Sequence, residues 1–368
     1  MSNTTSSKAA STGTDLDARN LSEATSRTVK VNNRDYLFFG GTAYLGLNKN
    51  PAFTELILEG IRRYGINNGT SRSNNVQLGI YSEVEEYSAK KFGFEDAILV
   101  SSGYLAAQLA VRQMASMYAP EQIIYSPFSH PALWLDKSPA AASTFQDWAE
   151  KTVTRINQSS AKQFLIISNS FDNIIPQLFD YSPFLEVDTD KELHFLLDDS
   201  HGLGMFHPDQ STVHDFFNTS GQNFKLTLVA SMAKGLGIDA GLILGDRQTV
   251  AALRQTGVFI GASPSAPAFL HAFSQGEHLY QNQWRKLQEN ISIFRAGLRT
   301  KGTESEWKFI SNYPVFYRPD HPYADHLEAH GILVSSFPYP DPNDPPLDRI
   351  VISAAHEEED LKKLLALL

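Results

Sequence analysis

Two patterns in the amino-acid sequence predict an α/β fold with one large, mostly parallel sheet. The first is a series of short apolar runs that alternate with helical or looped stretches through the middle of the chain. The runs are Ala97 to Val100, Gln122 to Tyr125, Phe164 to Ile167, Phe195 to Leu197, Leu226 to Val229 and Gly241 to Leu244. Alternation of this kind is typical of parallel strands that are flanked by helices. We therefore predict a large α/β domain over residues 49–262.

The second pattern is a change of periodicity towards the C-terminus. A long helical periodicity runs from about Glu277 to Lys301, and strand-like runs follow near Phe309 to Tyr317 and Ile332 to Phe337. A charged amphipathic helix is expected from Glu357 onward. These elements predict a small C-terminal α+β domain over residues 263–368.

The N-terminal segment has a different composition. Residues 1–29 are dominated by Ser, Thr, Ala and charged residues and show no helical or strand period. Such a segment buries too little apolar surface to offset the entropy of ordering. We predict that residues 1–48 form an N-terminal arm whose first 29 or so residues are flexible. The first major helix should run from Pro51 to Tyr64, with Asn50 as its cap.

Composition excludes several classes of function. The chain has 368 residues, of which 42% are hydrophobic, enough for a large core. Its net charge of −10 argues against a nucleic-acid-binding protein. The absence of cysteine excludes disulfides, thiolate metal sites and a cysteine nucleophile. No stretch approaches the roughly 18 apolar residues of a membrane span and no apolar signal core is present, so we expect a cytoplasmic protein.

The run from His194 to Asp198 reads as a buried strand that ends in a carboxylate. Ligands of open α/β sheets bind just beyond the carboxyl ends of the strands. Because side chains alternate along a strand, Asp198 and Asp199 should face opposite sides, and we assign Asp198 to the ligand. If the ligand carries a pyridine ring, a carboxylate roughly 4 Å from the ring nitrogen would favour the protonated form of that nitrogen by about 4 kcal/mol at an effective dielectric constant near 20.

Two further segments complete a candidate site for pyridoxal phosphate. Lys234, in Ser231–Gly235, offers an amine that can form a Schiff base with an aldehyde. His201 lies in a glycine-rich turn and could hydrogen-bond a phenolic oxygen, although a turn histidine that faces water is the alternative. His130, in Ser126–His130, could cover an aromatic ring. An amine, an acid and a lid are the groups that this cofactor requires.

At these segments the chain resembles the α-oxoamine synthases, fold-type I pyridoxal phosphate enzymes that include 8-amino-7-oxononanoate synthase, glycine C-acetyltransferase, 5-aminolevulinate synthase and serine palmitoyltransferase. The likeness extends from about Asp35 to Leu368. Other matching motifs are Asp35–Phe39, Ala43–Leu47, Tyr64–Gly65, Gly69–Arg72, Glu85–Glu86, Ser102–Tyr104, Gly261–Ser263 and Arg349–His356. The resemblance implies the fold-type I architecture, with a large domain and a small C-terminal domain.

The resemblance also implies roles around the cofactor ring. His130 falls where the family stacks a histidine on the ring, and Asp198 falls where it pairs the ring nitrogen. His201 falls where it contacts the phenolic oxygen, and Lys234 matches the family's Schiff-base lysine. We expect these four residues to be catalytic.

Further matches concern the cofactor phosphate. The turn Ser102-Gly103-Tyr104 resembles the family's Ser-Gly-Phe turn, whose backbone amides hold the phosphate at a helix start, where anions are favoured. Ser231 matches a phosphate-binding Thr or Ser. Ser263 resembles a serine that reaches the phosphate of the other subunit, which implies a homodimer with shared active sites.

The substrate side combines matches and departures. Arg349 matches an arginine that binds the substrate carboxylate, a task that suits its planar fork. Thr42 replaces the family's Asn and is assigned to substrate binding. Asn173 replaces a Ser and is assigned to cofactor binding, and Asn169 replaces a Glu. Gln77 belongs to the segment Val76-Gln77-Leu78, which stands where the family usually has Gly-Thr-His. These departures leave the identity of the amino acid and of the acyl chain open.

By resemblance the chain is a transferase that condenses a small α-amino acid with an acyl-CoA thioester, usually with decarboxylation, to give an α-amino ketone. One alternative is another fold-type I reaction, such as transamination, aldol cleavage or decarboxylation, because the same ring contacts serve any of them. A second is a homologue that binds the cofactor but has lost turnover, which the departures motivate.

Two other types of site fit the sequence less well. Ser231 and Lys234 have the Ser-x-x-Lys spacing of penicillin-binding hydrolases, but the Lys-Thr-Gly strand of those enzymes is absent. A metal site could draw on His194, His201, His207 and Asp198, but their spacing does not supply a tight set of ligands. We therefore predict no metal site.

Overall fold

The computed structural model describes residues 18, 20–135, 139, 144–219, 221, 223–319, 321–338 and 343–368. Residues 1–17 and 19 of the predicted arm lie outside the described residues. The strands are β1 Thr28–Val31, β2 Arg34–Phe39, β3 Asp96–Val100, β4 Ile123–Tyr125, β5 Gln163–Asn169, β6 Phe171–Asp172, β7 Gln177–Leu178, β8 Glu192–Asp198, β9 Phe224–Ser231, β10 Gly241–Gly245, β11 Lys308–Phe309, β12 Val315–Tyr317, β13 Ile332–Pro338 and β14 Pro346–Val351. The helices are α1 Pro51–Tyr64, α2 Ile80–Phe92, α3 Gly103–Ala115, α4 Phe145–Gln158, α5 His214–Thr219, α6 Arg247–Arg254, α7 Gly257–Gly261, α8 Pro267–Gln275, α9 Glu277–Thr300, α10 Ala324–Ala329 and α11 Glu358–Leu367.

Every predicted apolar run forms a strand of one large sheet. Its strand order is β3-β10-β9-β8-β5-β4. Strands β4, β5, β8 and β9 run parallel to one another, whereas β10 is antiparallel to both of its neighbours. The prediction of a mostly parallel sheet is confirmed. A sheet with both faces covered requires nearly continuous apolar strands, and these are what the sequence contains.

The core lies on both faces of this sheet. Successive side chains of β9 separate into two clusters, with Leu228 and Ala230 on one face and Val229 on the other. Helix α3 packs on the same face as Val229, where Leu109 and Val111 are buried. The period of two along each strand therefore supplies both layers of the core.

The second sheet joins the two ends of the chain. Its order is β1-β2-β13-β14-β12-β11, and β2 pairs in parallel with β13. Residues 28–39, which the sequence analysis placed in the arm, therefore form two strands of a sheet whose other strands are C-terminal. Our proposed division keeps residues 49–262 as the large domain and 263–368 as the small one, to whose sheet residues 28–39 contribute.

The predicted helices lie close to their expected bounds. Helix α1 begins as expected, since the side chain of Asn50 accepts hydrogen bonds from the backbone of Ala52 and Phe53. Helix α9 ends one residue before the predicted limit, and α11 is preceded by Glu357 as its cap. Among the described residues, no helix is both long and apolar enough to cross a membrane.

Candidate active site

A cleft lies at the carboxyl ends of the central strands of the large sheet. It is lined by His130, Asn169, Phe171, Asn173, Asp198, His201 and Lys234. Asn169 ends β5 and Asp198 ends β8, and the two residues are direct partners in the sheet. Parallel strands direct their carboxyl ends to one edge, so residues far apart in the sequence meet there. The structure thus brings together all four residues that we expected to contact a cofactor ring.

Lys234 lies in the turn that follows β9. Its backbone carbonyl accepts a hydrogen bond from Gly237 at 3.2 Å. Burial lowers the pKa of the Lys234 amine, and the nearby Asp198 carboxylate opposes this effect only in part. A larger fraction of the amine is therefore neutral, and a neutral amine is the nucleophilic form.

The two adjacent carboxylates face opposite directions. Asp198 lines the cleft, and its Oδ1 accepts the backbone N–H of Ser200 at 2.9 Å. Asp199 points away and accepts hydrogen bonds from both the N–H and the hydroxyl of Thr212, at 2.9 and 2.6 Å. Burial raises the pKa of Asp199 to about 7. Only Asp198 is therefore placed to act on a ligand in the cleft.

His130 lies across the cleft from Asp198, with its Nδ1 4.0 Å from the carboxylate Oδ2. The same Nδ1 accepts the backbone N–H of Ala132 at 3.1 Å. Burial lowers the pKa of His130; Asp198 opposes this shift, and the positive charge of Lys234 adds to it. The imidazole is therefore disposed to be neutral, with its proton on Nε2.

Asn169 holds the segment that carries His130. Its Oδ1 accepts the backbone N–H of His130 at 2.9 Å, and its Nδ2 donates to the carbonyl of Phe128 at 2.8 Å. The sequence analysis noted Asn169 only as a departure from the family pattern. Asn169 links its own segment to one about forty residues away in the sequence, and no local sequence pattern predicts such a contact.

His201 also lines the cleft, and its Nδ1 is hydrogen-bonded to a tyrosine hydroxyl. Its Nδ1 is 2.8 Å from the hydroxyl of Tyr44, which is 3.0 Å from the hydroxyl of Tyr313. Burial lowers the pKa of His201 well below its usual value, and the charges of Lys234 and Arg349 add to the shift. The sequence analysis missed both tyrosines as parts of the site.

The residues expected to hold a phosphate lie beside the cleft. Ser102 caps α3, since its hydroxyl accepts the backbone N–H of Leu105 at 3.2 Å. Gly103 packs so closely on Ser231 that an added Cβ would lie 2.4 Å from the Ser231 Cβ. Tyr104 is 65% exposed. The start of α3 is thereby brought against the end of β9, three residues before Lys234.

Arg349, on β14 of the second sheet, reaches the cleft through Asn173. It is buried, and its Nη1 donates to the carbonyl of Asn173 at 2.8 Å. Its guanidinium carbon lies 4.9 Å from the centre of the Phe337 ring. The Nε is buried and has no hydrogen-bond partner among the described residues. An unpaired charged donor of this kind suits an anionic ligand.

The structure does not bring every predicted residue to the cleft. Ser263 follows α7, is exposed and does not line the cleft. Thr42 is half-buried and also lies outside it, although the adjacent Ala43 lines a second groove that reaches Lys234. The roles of Ser263 and Thr42 stay predictions.

No group of three or more metal-binding side chains is found within the described part of the chain. Two of the histidines weighed as ligands have other partners. His194 is hydrogen-bonded to Thr227 at 2.9 Å, and the Nδ1 of His207 accepts the N–H of Asp209 at 3.3 Å.

Comparisons with known proteins identify the family of the chain. Residues 34–368 match the family model described as aminotransferase class I and II. The chain is 26% identical to 8-amino-7-oxononanoate synthase of Alcanivorax borkumensis, covering 95% of this chain and 93% of that protein. It is 22% identical to serine palmitoyltransferase of Bacteriovorax stolpii, covering 94% and 85%.

Two solved structures share the fold. Serine palmitoyltransferase from S. paucimobilis, solved with bound PLP, superposes with a TM-score of 0.78 at 17% identity, covering 96% of this chain and 92% of that one. 8-Amino-7-oxononanoate synthase from Francisella tularensis gives a TM-score of 0.65 at 17% identity, covering 90% and 96%.

Proposed function

The chain belongs to the aminotransferase class I and II family of pyridoxal phosphate enzymes, and its relatives group it with the α-oxoamine synthases. From this premise we propose that it is an acyltransferase that condenses a small α-amino acid with an acyl-CoA thioester, usually with loss of carbon dioxide. The observation that carries the proposal is the cleft itself. It combines a partly buried amine, a carboxylate and two imidazoles with an unpaired guanidinium donor nearby.

The described residues fit pyridoxal phosphate. The amine of Lys234 can bond to the aldehyde, and Asp198 offers a negative charge to the ring nitrogen. The start of α3, packed on Ser231, offers backbone N–H groups to the phosphate. When bound, the cofactor supplies an electron sink for negative charge at the substrate Cα.

Lys234 and Asp198 would share the proton chemistry. Because burial lowers its pKa, the Lys234 amine can accept a proton from the substrate Cα and return it later. Asp198 would keep the ring nitrogen protonated, since a carboxylate close to a cation favours the charged form. Each of these roles requires only that the side chain reach the cleft, which both do.

Arg349 would bind the carboxylate of the amino acid. Its Nη1 is held on the carbonyl of Asn173, and Asn173 lines the cleft, so the guanidinium is fixed in direction before any substrate arrives. Fixing the carboxylate orients the bond to be broken, which is the positioning part of catalysis. Thr42 would contribute to substrate binding from the same side.

The two histidines would act on opposite parts of the bound ligands. His130 would cover the cofactor ring and polarise the thioester carbonyl, and His201 would contact the phenolic oxygen.

Ser263 would act in trans, on the phosphate of a second copy in a homodimer. Its exposure in the single chain leaves it available for such a contact.

The proposal can be tested by coenzyme A release. Purified protein is supplied with pyridoxal phosphate and with glycine, L-alanine or L-serine, each combined with short, dicarboxylic or long acyl-CoA thioesters. Free coenzyme A is read with a thiol reagent. Because the chain contains no cysteine, the protein gives no background in this assay. Lys234→Ala is the inactive control.

Coenzyme A release that requires one amino acid and one thioester, and that Lys234→Ala lacks, supports the proposal and identifies the substrates. A change in the visible spectrum on addition of an amino acid, without coenzyme A release from any thioester, would favour another fold-type I reaction. Cofactor binding with neither response would favour a homologue that has lost turnover.

A further inference from the structure

A chain of hydrogen bonds between side chains joins three distant parts of the sequence behind the cleft. Tyr44 comes from the N-terminal region, His201 from the loop after β8, and Tyr313 from the loop before β12. The hydroxyl of Tyr44 lies 2.8 Å from Nδ1 of His201 and 3.0 Å from the hydroxyl of Tyr313. Both tyrosine side chains are buried.

The direction of these hydrogen bonds follows from counting protons. Each tyrosine hydroxyl carries one proton. Among the described residues, the hydroxyl of Tyr313 has only the hydroxyl of Tyr44 as a partner. If Tyr44 donated to Tyr313, the proton of Tyr313 would be buried without an acceptor, which is costly. Tyr313 therefore donates to Tyr44, and Tyr44 donates to Nδ1 of His201.

We infer that Tyr44, whose hydroxyl is held in place by Tyr313, is a positioning residue that keeps His201 in the tautomer with its proton on Nε2, ready to donate to an oxygen of the group bound in the cleft. Nδ1 is occupied as an acceptor, and His201 lines the cleft. The inference deepens the proposed function and rests on it for the identity of that oxygen, which would be the phenolic oxygen of the cofactor.

The protonation states of all three groups support this arrangement. Burial raises the pKa of Tyr44 to about 12 and that of Tyr313 well above its usual value, so both hydroxyls keep their protons. Burial also lowers the pKa of His201 well below its usual value, and the positive charges of Lys234 and Arg349 add to the shift. A neutral imidazole has one N–H. Because Nδ1 accepts the hydrogen bond from Tyr44, that proton lies on Nε2.

The packing around Tyr313 keeps the hydroxyls in place. The Tyr313 ring stacks on Phe206 at a centroid distance of 5.2 Å and meets Phe171 edge-on at 5.0 Å. Phe171 itself lines the cleft. The rings therefore link the position of the Tyr313 hydroxyl to the cleft wall.

The first test measures the tautomer directly, in protein without cofactor. Two-bond nitrogen–proton NMR spectra of protein labelled with nitrogen-15 histidine distinguish protonated from unprotonated ring nitrogens, and loss of signals in His201→Asn assigns the residue. We expect a protonated Nε2 and an unprotonated Nδ1 in the wild type. A proton on Nδ1 in the wild type would overturn the inference.

Variants then separate positioning from packing. Tyr44→Phe should change the His201 ring signals or give mixed tautomers. Tyr313→Phe should keep the tautomer, because Tyr44 can still donate. The matched control is Tyr81→Phe, which removes a buried hydroxyl that donates to the carbonyl of Ser265 at 3.1 Å, away from the cleft. Unchanged His201 signals in a folded Tyr44→Phe protein would contradict the role of Tyr44.

The second test asks whether the tautomer matters to the cofactor. Tyr44→Phe should weaken the affinity for pyridoxal phosphate about threefold to tenfold, the usual worth of one hydrogen bond, and Tyr313→Phe should weaken it less. Tyr81→Phe should leave the affinity unchanged. Equal affinity for wild type and Tyr44→Phe would overturn the role towards the cofactor. Failure of the wild type to bind pyridoxal phosphate would instead contradict the proposed function, and the NMR result would stand.

Discussion

The cofactor side and the substrate side of the cleft are built in different ways. Asp198 and Lys234 follow β8 and β9, neighbouring parallel strands of one sheet. Arg349 belongs to the other sheet and donates a hydrogen bond to the carbonyl of Asn173, which is far away in sequence and lines the cleft. Chemistry placed at adjacent strand ends follows from local sequence patterns, whereas chemistry placed between two sheets depends on how the sheets pack. Of the departures from the family pattern, Asn173 contacts Arg349 of the other sheet, whereas Asn169 ends β5 directly beside Asp198.

The largest effect should follow from removing the amine on the cofactor side. Lys234→Ala should lower coenzyme A release by at least about a thousandfold, because both the bond to the cofactor and the proton transfer are lost. The matched control is Lys225→Ala, an exposed lysine on the same strand β9. Activity of Lys234→Ala close to that of the control would remove Lys234 from the site.

A second change on the cofactor side removes the carboxylate. Asp198→Asn should slow the reaction by up to about a thousandfold, because the protonated ring nitrogen loses an attraction of about 4 kcal/mol at an effective dielectric constant near 20. The measurement is the exchange of the amino-acid Cα hydrogen in deuterated water. Exchange at the wild-type rate would show that the carboxylate does not act on the ring.

The substrate side should respond in a different kinetic constant. Arg349→Ala should raise the KM for the amino acid about tenfold to a hundredfold, the usual worth of a charged hydrogen bond, and change kcat less. Arg318→Ala is the control, since Arg318 follows β12 of the same sheet and pairs with Glu306. A loss confined to kcat would break the division between the two sides.

Asn169 lies where the two sides meet, and its effect should be smaller. Asn169→Ala should reduce kcat about threefold to tenfold by releasing the segment of His130. Asn157→Ala is a close control, because Asn157 clamps another loop in the same manner, donating to Glu186 and accepting from Asp188 at 3.0 Å each. Equal activities for the two variants would leave Asn169 with a structural role alone.

Asp199 sharpens the contrast with its neighbour and should affect stability, not catalysis. Its folded pKa of about 7 exceeds the ordinary value of 3.8, so the folded state binds the proton more tightly. Its contribution is therefore present below about pH 4 and is lost as the pH rises to about 7, by at most about 4 kcal/mol.

The measurement compares urea unfolding of wild type and Asp199→Asn across this pH range. The variant should lose part of the decline in unfolding free energy, and other titrating groups cancel in the difference. Parallel curves for the two proteins would show that burial does not raise the pKa of Asp199 in the folded protein.

Much of the fold and part of the site could be predicted from the sequence. The strands of the large sheet were recognisable because burial on both faces demands continuous apolar runs, and the limits of α1 because a cap and a proline mark its start. Asp198 was distinguished from Asp199 by the alternation of side chains along a strand. Each of these rules acts over a few residues.

The remaining features depend on contacts between distant segments. Strands β1 and β2 join the C-terminal sheet through the parallel pairing of β2 with β13. The local sequence of neither strand identifies the other as its partner. The hydrogen-bond chain from Tyr313 through Tyr44 to His201 exists only because three loops pack together. The sequence by itself determined which elements form and which side chains they carry, because helices and strands follow local periodicity. Only the tertiary structure decided how those side chains are oriented and held, because hydrogen-bond geometry depends on the packing of elements that the chain brings together from far apart.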